Sequence, residues 1–314
     1  MSMTEIVTLT LNPTIDRSAK VGHVIAEKKL RCTGVRLDPG GGGINVGRAI
    51  VQLGGEAKSY WTGGGPTADL LTELLDEHQM EHCRIKTEGP TRENVIVDET
   101  DTNQQFRFGM PGPFMTKREQ QRCLDEIATL DPVPKYLVLS GSLPLGVEDD
   151  FYGRIIDVVP AEVRVVLDTG GTALEKGVHQ SAFLLKPNQR ELGQLAGKEI
   201  TSDPQARDAA KQLIDKGEVK VVLVSLGRGG ILLVSSELTE RIAAPTVPIQ
   251  SKIGAGDSTV AGTVLALQRG ESLLDAARFG VACGTAAVMT EGTELCRRED
   301  AERLWHQMQD EMVS

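Results

Sequence analysis

Two hydrophobic rhythms alternate along the chain. The segments 6–12 (IVTLTLN), 136–141 (YLVLSG), 164–170 (RVVLDTG), 182–188 (AFLLKPN) and 220–227 (KVVLVSLG) are apolar runs of strand length that end in small, polar or glycine residues. Such runs fit strands covered on both faces. Between them, 117–130 (KREQQRCLDEIATL) and 203–217 (DPQARDAAKQLIDKG) read as amphipathic helices. Strand and helix in alternation predict βαβ units, and hence an α/β fold with a mostly parallel central sheet and helices on both faces.

A third pattern interrupts this order. Segments 28–38 (KKLRCTGVRLD), 94–100 (NVIVDET) and 104–110 (QQFRFGM) alternate polar with apolar residues, as strands with one wet face do. The last two flank DETDTN, a good hairpin turn. They predict a small β-sheet lid, inserted from about 17–38 and 92–110 into a single domain spanning 1–314. No internal repeat, low-complexity tract or linker divides the chain.

With 314 residues and 40% hydrophobic content, one large core is affordable. No run of eighteen apolar residues is present, and the start MSMTEIVTLTLNP lacks the basic and apolar regions of a signal peptide. A soluble, cytoplasmic protein with no membrane partner is therefore expected. The five cysteines (32, 83, 123, 283 and 296) are widely spaced without a C-x-x-C pair, so they read as reduced apolar residues. A net charge of −10 argues against nucleic acid as a partner. It leaves room for a small phosphorylated ligand, because only the pocket's own charges must then be positive.

The chemistry gathers where ligands of such sheets bind, at the carboxyl ends of the strands: SGSLPLG, DTGG, KPNQRE, SLGRGG and IGAGD. A Walker loop is absent, since GQLAGKE (193–199) has the wrong spacing and ends in Glu. GGGPTA (63–68) fits a loose dinucleotide pattern without its acidic partner, and reads better as a turn before the helix 68–78. DPGGGGINVGRAI carries four consecutive glycines before an amphipathic helix, which lets backbone approach a ligand closely while Asn45 both donates and accepts.

IGAGDSTVAG (253–262) opens a helix whose free N–H groups and dipole favour an anion. Asp257 fits there as a base for an attacking hydroxyl, with the amides of 254–257 stabilising a transferring phosphoryl group. An ordinary helix cap is the plainer alternative. In KPNQRE, Asn188 and Glu191 stand three apart, an oxygen pair suited to a magnesium–phosphate unit and equally common on surface helices. SLGRGG (225–230) is either a nucleotide-approach turn or a simple strand reversal.

With these motifs in order, the chain resembles the PfkB (ribokinase-like) carbohydrate kinases along essentially its whole length. GGGGINVGRAI resembles the family's first signature, IGAGDSTVAG its second, and Asn188 to Glu191 its N-x-x-E magnesium motif. LTLNPTIDRS is similar to the hexose-phosphate branch, which includes 1-phosphofructokinases, tagatose-6-phosphate kinases and PfkB-type (minor) 6-phosphofructokinases. KKLRC, TRENV, FRFGMPG and the plain-glycine GGGGINV look most like the last of these.

The resemblance implies a ribokinase-like fold and ATP-dependent phosphorylation of fructose 6-phosphate at its C1 hydroxyl, a step of glycolysis. The same chemistry on fructose 1-phosphate or tagatose 6-phosphate is the alternative. A non-catalytic binding protein would be expected to lose Asp257, an anion-hole glycine or Glu191, and all are present. A nicotinamide-dependent oxidoreductase would rest on GGGPTA alone.

By the same resemblance, Asp257 is the base and Gly254, Ala255 and Gly256 form the anion hole. Asp16, Gly41, Gly42 and Asn45 hold the sugar hydroxyls, while Lys29, Arg31 and Arg92 bind the 6-phosphate with Ser140 nearby. Related dimers clasp each other through their lids, so a homodimer is implied, with Arg31 supplied by the partner chain. Lys186, Asn188, Ser225, Gly227 and Gly230 contact ATP, with Val281 and Thr285 beside the adenine. Glu191 orients Mg2+, and the backbone carbonyls of Ser251, Ile253, Ala287 and Gly292 hold a monovalent cation, usually K+. Two positions depart from the family pattern: Lys252, where a small or β-branched residue or proline is usual, and Leu145, where a proline is usual.

Overall fold

Strand β8 (Tyr136–Ser140) shows how the central sheet is covered. All of it is buried, with Leu137 and Leu139 in one apolar cluster and Tyr136 and Val138 in the other. Alternate side chains leave a strand on opposite faces, and each full burial of a large apolar side chain is worth roughly 1.5–3 kcal/mol. The computed structural model describes residues 5–178 and 182–313.

Among the described residues, β8 is one of seven parallel strands. In spatial order they are β5 (Glu81–Lys86), β4 (Lys58–Gly63), β1 (Ile6–Thr10), β8, β9 (Arg164–Asp168), β10 (Ala182–Leu185) and β11 (Val219–Ser225). Two antiparallel strands, β12 (Ile231–Ser235) and β13 (Thr239–Ile242), extend the edge. The chain builds outward from β1 to β5, then returns through β8 to the other side. The order therefore reverses between β1 and β8, where an open α/β sheet leaves a crevice at its strand ends.

Helices α1 (Gly42–Gln52), α8 (Ala255–Gln268), α9 (Leu273–Ala287) and α10 (Arg298–Val313) pack on one face. The other face carries α3 (Lys117–Ala128), α4 (Phe151–Val158), α5 (Gly171–Gly177), α6 (Gln189–Ala196) and α7 (Asp203–Asp215). Helix α2 (Gly65–Glu77) closes a third cluster with Ile15, Ile44 and Trp61. Ser258 to Leu267 are all buried in α8, a helix apolar on every side because the sheet and α9 both cover it.

A separate four-stranded sheet has the order β3 (Thr33–Gly40), β2 (Thr14–Val21), β6 (Arg92–Glu99) and β7 (Gln104–Phe108). Its ladder begins at Thr14 and reaches Gly40, wider than the alternation in the sequence suggests. Residues 28–32, expected to be strand, lie outside it: β2 ends at Val21, so nothing remains for them to pair with. Thr33 to Arg36 are exposed, Val35 among them (57%), as is Phe108 (50%) in β7, so this sheet keeps an uncovered apolar face.

No described helix is long and apolar enough to cross a membrane. All five cysteines are free thiols.

Candidate active site

The carboxyl ends of β8 to β11 and the start of α8 open on one cavity of about 910 Å³. Gly254 caps α8 at φ 73°, a left-handed conformation costly for other residues, and a Cβ there would lie 2.5 Å from Leu295 Cδ2. The helix turns at once, its first backbone bond running from Ser258 N–H to Gly254 O at 2.8 Å. The amides ahead of Ser258 have no partner within the helix, and Ala255, Gly256 and Asp257 line the cavity. That combination suits an anion.

Asp257 sits in the first turn, half-buried, and accepts a 2.8 Å hydrogen bond from Asn45 Nδ2 in α1. The four glycines make this approach possible. A Cβ on Gly42 would overlap Ser140 Oγ and come within 2.8 Å of the Gly141 nitrogen, so only glycine lets α1 begin against β8. Burial raises the pKa of Asp257 and Asp168 adds repulsion; Asn45, Lys186 and Arg48 act the other way, leaving it pushed up to about 6.

Lys186 follows β10 and pairs with Asp168, at the end of β9, with Nζ and Oδ1 3.0 Å apart. Its ammonium also lies 3.3 Å from where a Cβ on Gly256 would be, so it faces the first turn of α8. Burial opposes its charge, yet Asp168, then Asp257 and Glu191, outweigh that and raise its pKa. The cavity thus holds one buried cation beside the amide cradle and three acids around it. Such an arrangement can receive a phosphoryl group, while Asp257 accepts a proton from a hydroxyl beside it.

Asn188 and Glu191 form a capping box on α6: Asn188 N–H donates to Glu191 Oε2 at 2.8 Å, and Glu191 N–H donates to Asn188 Oδ1 at 2.9 Å. Both also line the cavity, and Glu191 Oε1 reaches within 3.0 Å of where a Cβ on Gly170 would be. One carboxylate oxygen is engaged in the cap and the other faces this opening. A carboxylate of this kind, with Asp168 nearby, suits Mg2+, which is held by one or two carboxylates together with substrate phosphates.

Ser140, Gly42, Ser225, Gly227, Gly230, Val281 and Thr285 also line the cavity. The segment 225–230 serves both readings at once, since it reverses the chain between antiparallel β11 and β12 while forming cavity wall. Lys252 is exposed on the rim, whereas Leu145 is exposed and bridged to Phe114.

Other candidates lie outside the cavity wall. Asp16 is in β2, where Asn94 donates to its Oδ1 at 2.9 Å; burial is the main cause of its raised pKa. Gly41 caps α1. Two donors of Arg92 reach backbone carbonyls, Nη1 to Met110 O (3.1 Å) and Nη2 to Asn12 O (3.0 Å), while its buried Nε has no partner among the described residues. Lys29 and Arg31 are exposed in the β2–β3 connection. Ser251 and Ile253 precede α8, and Ala287 and Gly292 lie across from them. Ser251 Oγ donates to Gly292 O (2.8 Å), Ser251 N–H to Val288 O (3.3 Å) and Thr290 Oγ1 to Ala287 O (2.7 Å).

Three residues with a clear place here carry no role in the sequence reading. Asp168 ends a strand run in the quoted DTGG segment, so the strand-end rule was a usable signal. Arg48 is buried and donates to Pro39 O at 2.8 Å, and Asp38 is buried in β3. Nothing in sequence alone distinguishes those two from surface charges.

The model for "pfkB family carbohydrate kinase" matches residues 3–300. The ATP-dependent 6-phosphofructokinase isozyme 2 of Mycobacterium tuberculosis is 40% identical over 301 residues, covering 96% of this chain and 88% of that protein. Its namesake from Escherichia coli is 37% identical over 305 residues, covering 96% and 98%. The E. coli phosphofructokinase-2 crystal structure in complex with potassium aligns with a TM-score of 0.93 at 36% identity, covering 98% of this chain and 100% of that one. With fructose-6-phosphate the same protein gives 0.92, and it is also known in a tetrameric inhibited form. With its sheet order, its cradle at the start of α8 and this match over nearly its full length, the chain belongs to the pfkB family of carbohydrate kinases.

Proposed function

We propose that this chain is an ATP-dependent 6-phosphofructokinase, transferring the γ-phosphoryl group of ATP to the C1 hydroxyl of fructose 6-phosphate. The observation that carries this is Asp257 in the first turn of α8, held by Asn45 and facing the same opening as Lys186. Asp257 takes the proton as the C1 oxygen bonds to phosphorus and the bond to the departing ADP oxygen breaks. The amides of Ala255, Gly256 and Asp257 hold the charge spread over the phosphoryl oxygens, and Lys186 balances the phosphates.

Asn188, Ser225, Gly227 and Gly230 would line the nucleotide, with Val281 and Thr285 at its base. Asp16, Gly41, Gly42 and Asn45 would hold sugar hydroxyls. Arg92, Ser140, Lys29 and Arg31 would meet the 6-phosphate, with Arg31 reaching across a homodimer through the small sheet acting as lid. Glu191 would orient Mg2+, which neutralises phosphate charge when bound. The carbonyls of Ser251, Ile253, Ala287 and Gly292 would hold K+; Gly292 O accepts one hydroxyl bond and retains a second lone pair, whereas Ala287 O already accepts from both the hydroxyl and the N–H of Thr290.

A substrate panel with ATP and Mg2+, with KCl or choline chloride, tests the reading. The highest kcat/KM is expected on fructose 6-phosphate, with stimulation by K+. Preference for fructose 1-phosphate or tagatose 6-phosphate would move the chain to a neighbouring branch, and no turnover of any sugar phosphate would refute it.

A further inference from the structure

Asp38 is a buried acid that the chemistry above does not use. It stands directly opposite Asp16 in the β2–β3 ladder. Like charges placed that way repel, so Asp38 needs partners. Arg36 Nη2 donates to its Oδ1 at 3.1 Å, and Thr293 Oγ1 donates to its Oδ2 at 2.7 Å from 255 residues away. Thr293 is itself buried, in the segment between α9 and α10. Neither residue lines the cavity.

From Thr293 the contacts continue toward the chemistry. Its neighbour Gly292 accepts from Ser251 Oγ at 2.8 Å, and Ser251 Oγ accepts from Ile253 N–H at 3.2 Å. Ile253 precedes Gly254, whose left-handed turn starts α8 and so places the amides beside Asp257. A second link between the small sheet and this segment, Lys20 to Glu291 at 3.1 Å, is exposed and screened. The Asp38–Thr293 bond is buried and charge-assisted, and it is the stronger tie.

We propose that Asp38 and Thr293 are positioning residues that couple occupancy of the small sheet, at Asp16, to the geometry of the segment that starts α8. Sugar bound against β2 braces β3, β3 holds Thr293, and Thr293 holds Gly292 and Ser251. Coupling of this kind is reciprocal, so a cation bound at the Ser251–Gly292 segment tightens the sugar as much as the sugar tightens the cation. The coupling to sugar rests on the contact at Asp16 proposed above and this last statement on the cation assignment; the Asp38–Thr293 bond itself rests on neither.

Thr293→Val keeps the shape and removes the donor, and Thr293→Ser restores it. Thr293→Val is expected to raise KM for fructose 6-phosphate about tenfold, the scale of one hydrogen bond to a charged group, with KM for ATP within about twofold. Thr293→Ser should recover most of the loss, and Asp38→Ala combined with Thr293→Val should be no worse than the poorer single variant. In the wild type, fructose 6-phosphate should lower the half-activating K+ concentration, and in Thr293→Val that dependence should vanish. A fall in Tm with unchanged sugar KM, or additive effects in the double variant, overturns the proposal. Activity indifferent to K+ in the wild type refutes the cation assignment alone, and the sugar KM then still decides the tie.

Discussion

The start of α8 and the small β-sheet are built to opposite standards of completeness. At α8, the acid, its Asn45 partner, the amides and the Lys186–Asp168 pair are assembled within one chain, on a helix buried from Ser258 to Leu267 and at strand ends of the central sheet. At the small sheet, Lys29 and Arg31 are exposed in the β2–β3 connection, Arg92 gives two donors to carbonyls and leaves its buried Nε without a partner among the described residues, and one face leaves Val35 and Phe108 in solvent. Under the proposed function, the difference separates two tasks. Stabilising a developing charge requires groups fixed beforehand, because reorganisation at the moment of reaction would cost what the groups supply. Gripping a substrate phosphate can wait for that substrate, or for a second copy of the chain.

The sharpest way to break this division is at Asp257. Asp257→Ala is expected to lower kcat by about a thousandfold or more while ATP binding, measured by calorimetry, stays within about threefold. Wild-type-like turnover would remove the base assignment. The pKa near 6 adds a second readout, since the wild-type kcat/KM should fall on the acid side of about pH 6 as Asp257 takes up its proton. Its sign for stability is also fixed. Folding raises this pKa from an ordinary 3.8, so the stability attached to the protonated form is full below about pH 3.8 and lost as pH rises through about 6. Asp257→Asn should therefore raise Tm at pH 7.5 and leave it unchanged near pH 4.

The small sheet should respond in binding rather than turnover. Arg31→Ala is expected to raise KM for fructose 6-phosphate about ten- to a hundredfold, the worth of a charge-assisted contact, with kcat within about threefold. If the residue acts across a dimer, mixing inactive Asp257→Ala chains with Arg31→Ala chains creates one intact site per hybrid. With random exchange, about a quarter of wild-type activity at low sugar should return. A mixture no better than the mean of its parents would place Arg31 on its own chain's site.

The same contrast explains what the sequence made legible. The parallel core was readable because strands such as YLVLSG and KVVLVSLG are covered on both faces, and burial on two sides leaves an unbroken apolar run. The α8 cradle was readable because glycines at 254 and 256 and the acid at 257 are local in sequence. What escaped depends on distant pairings. Residues 28–32 alternate like a strand but have no partner, and the alternation carries no record of that. Asp38 gains its meaning from Thr293, 255 positions away, and Asp168 from Lys186, just past the next strand. A charged residue in one sequence looks the same whether it faces solvent or a buried hydroxyl.

The smallest effects test whether N-x-x-E belongs to the fold, to the chemistry or to both. The reciprocal cap on α6 uses Asn188 Oδ1 and Glu191 Oε2, and leaves Glu191 Oε1 toward Gly170 and the cavity. Asn188→Ala removes a cap worth about 1 kcal/mol, a loss of about 2 °C in Tm for a domain of this size. Asn188→Asp keeps an oxygen for the Glu191 amide and should hold Tm within about 1 °C. Glu191→Gln preserves an acceptor for Asn188 N–H but not the negative charge, so its Tm should barely move while the Mg2+ concentration for half-maximal rate rises several-fold. If Glu191→Gln instead lowers Tm like Asn188→Ala and leaves the Mg2+ dependence unchanged, the motif is a helix cap that happens to border the cavity. The α8 side would then hold its charge chemistry in Asp257, Lys186 and Asp168 alone.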